Sequence, residues 1–135
     1  MLSLSVDSVR LFLHIIAATI WVGGQITLGA LVPVLRGYGD APKAAARQFA
    51  WVGWTAFVVL IATGAWNIAA LDHPSNAVKT TLNIKMGIVL LSGVSAYLHG
   101  RAKSKAGLAI WGALTAVTAL AAVLFGVMIA EAPSS

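Results

Sequence analysis

The chain has 135 residues, of which 59% are hydrophobic and only 10% are charged, and its net charge is +5. A soluble domain carries about 25% charged residues, so this composition excludes a soluble globular domain and indicates an integral membrane protein. The absence of cysteine excludes disulfides, thiolate metal sites and haem attachment through thioethers.

Four apolar runs follow one another along the chain, and each is close to or longer than the roughly 20 residues that cross a bilayer as a helix. The predicted helices cover approximately residues 9–35, 49–71, 77–100 and 106–130. Their linkers are short, which favours antiparallel neighbours. We therefore predict an all-α fold, an up-down four-helix membrane bundle that forms a single transmembrane domain over residues 1–135.

The first helix is expected to begin at Ser5 or Asp7, since both are good N-cap residues. It is too long for a signal core and lacks a preceding basic region, so we expect it to be retained. Pro33 is expected to kink or end it. Residues Ala44–Gln48 offer an earlier start for the second helix, and Gly100 is a natural end for the third.

Most basic residues fall into the first and third linkers, namely Arg36, Lys43, Arg47, Arg101, Lys103 and Lys105. The positive-inside rule places these linkers in the cytoplasm and both termini outside. We expect this orientation in a bacterial inner membrane. Basic linkers beside anionic lipid headgroups explain the pI of about 10.1 without a nucleic-acid partner.

Lys85 lies inside the third apolar run, where a charged residue costs about 2.5–3.5 kcal/mol on insertion scales. Such a residue usually has a partner or a task, although a long side chain also reaches toward the headgroups. His14 lies inside the first run. A helical rise of about 1.5 Å per residue puts His14 roughly 8 Å and Lys85 roughly 12 Å below the outer boundary.

Further polar residues surround these two in the predicted outer half. Asn67 and Asn83 fall in the same layer, while Trp21 and Gln25 share the helix face of His14 by their spacing. His14 is either a ligand to haem or metal through its neutral imidazole or a residue whose interhelical hydrogen bond fixes packing.

His99 is placed at the inner end of the third helix. It is either a solvated interfacial residue or an inner-side haem ligand. His14 and His99 of one chain do not bind one haem iron, because they lie near opposite membrane faces. Cu(I) prefers thiolate and thioether ligands, and Met86 and Met128 are the only methionines within the predicted spans.

Three segments resemble a known family. The stretch Leu13–Gly24 (LHIIAATIWVGG) resembles the opening helix of CopD copper-resistance membrane proteins, Thr81–Arg101 resembles their later lysine-bearing helix, and Ile61–Leu71 resembles the intervening threonine–glycine element. CopD proteins are implicated in moving copper across the inner membrane. The chain is similar, more distantly, to HemJ-like protoporphyrinogen oxidases, which bind haem b. By this resemblance His14 and Lys85 are the site residues.

The resemblance implies a CopD-like membrane protein with a metal or haem b site in the outer half of the bundle. His14 would be the ligand, Lys85 would balance charge, such as that of a haem propionate, and Trp21, Gln25, Asn67 and Asn83 would surround the site. The protein would handle copper or electrons, as a homodimer or within a larger membrane complex. The alternatives are a structural accessory subunit and a HemJ-like porphyrinogen oxidase, and the choice between haem b and copper stays open.

Overall fold

The computed structural model describes residues 1–133 and contains only helices and their connections within them. The four helices are α1 (Val6–Leu35), α2 (Ala41–Ala69), α3 (Asn76–Arg101) and α4 (Lys105–Ala130). Each is long and apolar enough to cross a membrane. The predicted all-α fold with four membrane-spanning helices is therefore confirmed.

The chain divides into two compact units, Met1–Leu71 and Asp72–Ser135. The first unit is the hairpin of α1 and α2, and the second is the hairpin of α3 and α4. Within each hairpin the two helices pack against each other. The single domain over residues 1–135 stays a prediction.

Serine side chains cap the N-termini of three of the helices. Ser5 Oγ accepts a hydrogen bond from the Ser8 amide at 3.1 Å, and Ser75 and Ser104 do the same at α3 and α4. A hydroxyl at this position satisfies an amide that has no partner within the helix. Ser5 is thus the N-cap of α1, and Asp7 lies in the first turn, where a negative charge suits the helix dipole.

The second helix begins at Ala41, eight residues before the predicted start at Phe49. Hydropathy marks the part of a helix that crosses the apolar layer, whereas α2 continues beyond it. Pro42 suits the first turn, where its missing amide hydrogen is not needed. Lys43 and Arg47 consequently lie in helical turns and not in the first linker. Two smaller differences are that α1 continues through Pro33 to Leu35 and α3 ends at Arg101.

Small residues dominate the interior of both units, and large apolar side chains face outward. The buried positions are Ala17, Trp21, Gly53, Ala56 and Thr63 in the first unit and Ser92, Gly93, Ser95, Thr115, Thr118, Ala119 and Ala122 in the second. Phe12, Val58 and Leu124, by contrast, are 62%, 65% and 59% exposed. Helices in lipid pack through small residues and place large ones against acyl chains, so this distribution suits an integral membrane protein.

Candidate functional site

His14 and Thr63 form the central polar contact of the first unit. The distance between His14 Nδ1 and Thr63 Oγ1 is 2.8 Å, and Thr63 Oγ1 also lies 2.7 Å from the Val59 carbonyl oxygen. A carbonyl only accepts, so the one hydroxyl proton of Thr63 is donated to Val59. Thr63 therefore accepts from His14 Nδ1–H. This tautomer carries its basic lone pair on Nε2, the atom that a metal or haem iron binds.

One turn nearer the start of α1, Arg10 makes a second cross-hairpin contact. Its Nε donates to Asn67 Oδ1 at 2.7 Å, and a terminal nitrogen forms an ion pair with Asp7 at 2.8 Å. The guanidinium carbon lies 5.9 Å from the centre of the Trp66 ring. Because only 13% of the Arg10 side chain is exposed, these contacts hold a cation one helical turn from His14. Asn67, predicted as part of the site's surroundings, orients this arginine.

Aromatic rings pack two turns further along α1, where Trp21 is only 5% exposed. Its ring centre lies 4.7 Å from that of Phe57 and 5.5 Å from that of Trp54. Tilted contacts at these distances stabilise a cluster beyond simple burial. Trp21 and the rings of Trp54 and Phe57 thus form an apolar layer in the same hairpin as His14.

Gln25, one turn beyond Trp21, is half-buried. Its amide Nε2 is buried and has no hydrogen-bond partner among residues 1–133. An unsatisfied buried donor costs about 1–3 kcal/mol. The Gln25 amide therefore adds an unsatisfied polar group to the face of α1 that is predicted to carry His14 and Trp21.

Lys85 lies in the second unit, half-buried in α3. Among residues 1–133 it forms neither a hydrogen bond nor an ion pair. A Cβ built on Gly126 of α4 would lie 3.0 Å from Lys85 Nζ, so that glycine provides the space for the ammonium group. Asn83 is exposed and lies two residues earlier, which rotates it by about 200° around the helix. The structure does not bring Asn83 to the Lys85 face.

The His99 side chain connects the end of α3 to the start of α4 through a hydrogen bond. Its Nδ1 donates to the Leu108 carbonyl oxygen at 2.9 Å, since a carbonyl cannot donate. A Cβ on Gly112 would lie 3.0 Å from His99 Cε1, so a glycine is needed where the ring meets α4. This contact gives His99 a packing role, and its role as a haem ligand stays a prediction.

Two residues of the site were missing from the predicted set, Arg10 and Thr63. Arg10 precedes His14 by four residues, a spacing that puts both on one face, and Thr63 belongs to the threonine–glycine element. A clustered metal site is not formed: no group of three or more His, Cys, Asp or Glu residues within residues 1–133 is placed to hold a metal ion.

Comparison with known proteins adds no relative. No family model matches the chain, and neither a curated protein nor a solved structure matches it.

Proposed function

We propose that this chain is a CopD-like integral membrane protein that binds haem b through His14 and transfers electrons. The observation that carries the proposal is the hydrogen bond from His14 Nδ1 to Thr63. Histidines that ligate metals usually donate their other ring N–H to a nearby acceptor, which fixes the tautomer and the ring orientation. Thr63 supplies that acceptor within an apolar span.

The donor set favours haem over copper. A haem b iron needs one axial imidazole from the protein, whereas Cu(I) selects several soft sulfur ligands. Within residues 1–133, His14 belongs to no group of three or more His, Cys, Asp or Glu residues placed to hold a metal ion. A Cβ built on Gly64 would lie 3.7 Å from His14 Cε1, so Gly64 lies directly beside the imidazole.

The residues of the chain would take separate roles. His14 would hold the haem through Nε2, and Thr63 would keep that nitrogen unprotonated. Arg10, one helical turn from His14, is the cation of this hairpin suited to a propionate, while the rings of Trp21, Trp54 and Phe57 would exclude water from the hairpin. When bound, haem supplies a one-electron change at its iron.

The first experiment is an absorption spectrum of detergent-purified protein, oxidised and dithionite-reduced, with metal analysis of the same sample. We expect a Soret band that shifts on reduction, with visible bands at longer wavelength, in the wild type and in His73→Ala, whose side chain is 96% exposed. His14→Ala should lose these bands. If His14→Ala keeps its haem content, the ligand assignment is wrong, and a colourless sample that contains copper supports copper handling.

A structural accessory subunit is the second candidate. It is favoured by the fact that His14 and His99 each make a hydrogen bond between the two helices of their own hairpin, which fixes packing without any ligand. A purified sample with neither haem nor copper would support this function.

We also propose that both termini lie outside a bacterial inner membrane. The support is the charge distribution: six of the exposed basic residues lie around the α1–α2 and α3–α4 connections, namely Arg36, Lys43, Arg47, Arg101, Lys103 and Lys105, whereas Lys79 alone lies near the α2–α3 connection among residues 1–133. Basic residues at the ends of membrane helices are retained in the cytoplasm. In this orientation His14 belongs to the outer half of α1.

A further inference from the structure

An open groove lies along α2 and is lined by residues of that helix. It has a volume of about 490 Å³ and is lined by Arg47, Ala50, Trp51, Trp54, Thr55 and Val58. A smaller groove of about 260 Å³ shares Arg47 and Trp51 with it and adds Ala44 and Gln48. We call these two together the α2 groove. It is polar at the start of the helix and apolar further along.

The length of α2 sets the depth of this groove. Its 29 residues span about 43 Å by the helical rise, which matches the full bilayer of about 40–45 Å including the headgroups. The early start at Ala41 therefore places Lys43 within the headgroup layer, and Arg47, about 9 Å further in from Ala41, lies just below it, where its long side chain reaches the headgroups. Arg47 and Val58 are eleven residues apart, or about 16 Å along the axis, which is close to the depth of one hydrocarbon leaflet.

Charge and side-chain exposure also change along α2, from basic residues at its start to exposed apolar residues further along. Lys43 precedes Arg47 by one turn, so two cations stand on one face of the helix, and both are exposed. Trp51 is 76% exposed and Val58 is 65% exposed. An exposed tryptophan one turn below a basic residue is typical of a membrane interface, where its ring borders headgroup and acyl chain.

We propose that the α2 groove binds one anionic glycerophospholipid. Arg47 and Lys43 pair with its phosphate and its negative headgroup, and the Gln48 amide donates to the remaining phosphate or glycerol oxygens. One acyl chain follows Trp51, Trp54 and Val58. The two adjacent cations favour a headgroup with net negative charge over a zwitterionic one.

Native mass spectrometry of the detergent-purified protein tests this site, with dioleoylphosphatidylglycerol and dioleoylphosphatidylcholine added separately. We expect one phosphatidylglycerol to bind the wild type more tightly than phosphatidylcholine. Arg47→Gln and Lys43→Gln should each weaken that binding about fivefold, as expected for one basic residue at an anionic surface. Inorganic phosphate in excess should not displace the lipid, because the acyl chain contributes to binding.

Arg36→Gln is the matched control, since it removes one positive charge from the same hairpin at an exposed position outside the groove. Arg36→Gln should leave lipid binding unchanged. Arg47→Lys should keep most of the wild-type lipid affinity, which would show that Arg47→Gln weakens binding by removing a charge and not by misfolding. Equal weakening by Arg36→Gln and Arg47→Gln would overturn the site in favour of general surface attraction. Equal binding of both lipids would overturn the charge argument, and displacement by inorganic phosphate would reduce the site to a phosphate site.

Discussion

Thr63 is the residue on which the proposed ligand role of His14 depends. Thr63→Val keeps the shape of the side chain but removes the oxygen that accepts from His14 Nδ1. We expect this variant to lower haem affinity about 10- to 100-fold, the usual effect of losing such an orienting partner. Haem titration of the purified protein measures it.

Thr63→Ser is the control. It retains the hydroxyl, so its haem affinity should stay within the wild-type range. Nitrogen NMR of labelled histidine gives a second readout: Thr63→Val should lose the single Nδ1–H tautomer of His14 even without haem. If affinity falls while the tautomer stays fixed, Thr63 acts through packing and not through the hydrogen bond.

The charge of Lys85 is expected to reduce the stability of the folded protein. With no hydrogen bond or ion pair among residues 1–133, its charge is unfavourable within a membrane span. Lys85→Met should therefore raise the free energy of unfolding in detergent by about 1–3 kcal/mol, because insertion scales assign such a charge about 2.5–3.5 kcal/mol. Lys79→Met, at an exposed position in the first turn of α3, should change it little. A destabilised Lys85→Met would mean that the ammonium group is paired in the folded protein.

Residue type was enough to single out His14 and Lys85, because ionisable groups are rare within membrane spans. The partners could not be found in this way. Thr63 and Asn67 are opposite His14 and Arg10 only in the register that the hairpin adopts. The sequence alone does not show which polar side chains of α2 face α1. Asn83 shows the converse: its depth was suitable, but the rotation of α3 separates it from the Lys85 face.

At the scale of helices, the α1–α2 contact depends on an aromatic ring held between two glycines. A Cβ added to Gly24 would overlap the Phe49 ring, and a Cβ on Gly53 would lie 3.2 Å from the same ring. Gly24→Ala should therefore destabilise the protein by about 1–3 kcal/mol, as extra volume in a packed interface does. Unfolding in mixed micelles measures this effect.

Gly23 offers a control one residue away, since a Cβ there meets nothing within 4 Å. Gly23→Ala should be close to neutral. The double variant Gly24→Ala with Phe49→Ala should lose less than the sum of the two single changes, because each removes part of the same contact. Additive effects would show that Phe49 moves away freely and that Gly24 matters for another reason.

The helices themselves could be predicted because apolar length is a strong signal in a chain of this composition. Their ends were harder to predict. Ala41–Gln48 contains two basic residues and a proline, which look like a linker, yet alanine favours helix and Pro42 is tolerated in the first turn. Ser5, which the sequence offered as a start of α1, is its N-cap, and Ser75 and Ser104 would likewise have been better guides to a helix start than hydropathy.

At the scale of the whole molecule, polarity within the first hairpin is divided between its two ends. The end formed by the start of α1 and the end of α2 carries the Arg10–Asn67 and His14–Thr63 contacts, whereas the connecting end carries Arg36, Lys43 and Arg47. The orientation of the hairpin therefore decides which side of the membrane is closer to His14. It also decides which leaflet supplies lipid to the α2 groove.

The absence of cysteine makes this orientation directly measurable with single substitutions. Ser3→Cys and Asp72→Cys should react with a membrane-impermeant maleimide in intact cells, because the positive-inside rule places these positions outside. Tyr38→Cys and Lys103→Cys should react only after the cells are lysed. The opposite pattern would contradict the proposed topology and place His14 in the cytoplasmic half. The ligand chemistry proposed for His14 and Thr63 would stay the same, because it depends on contacts within the first hairpin.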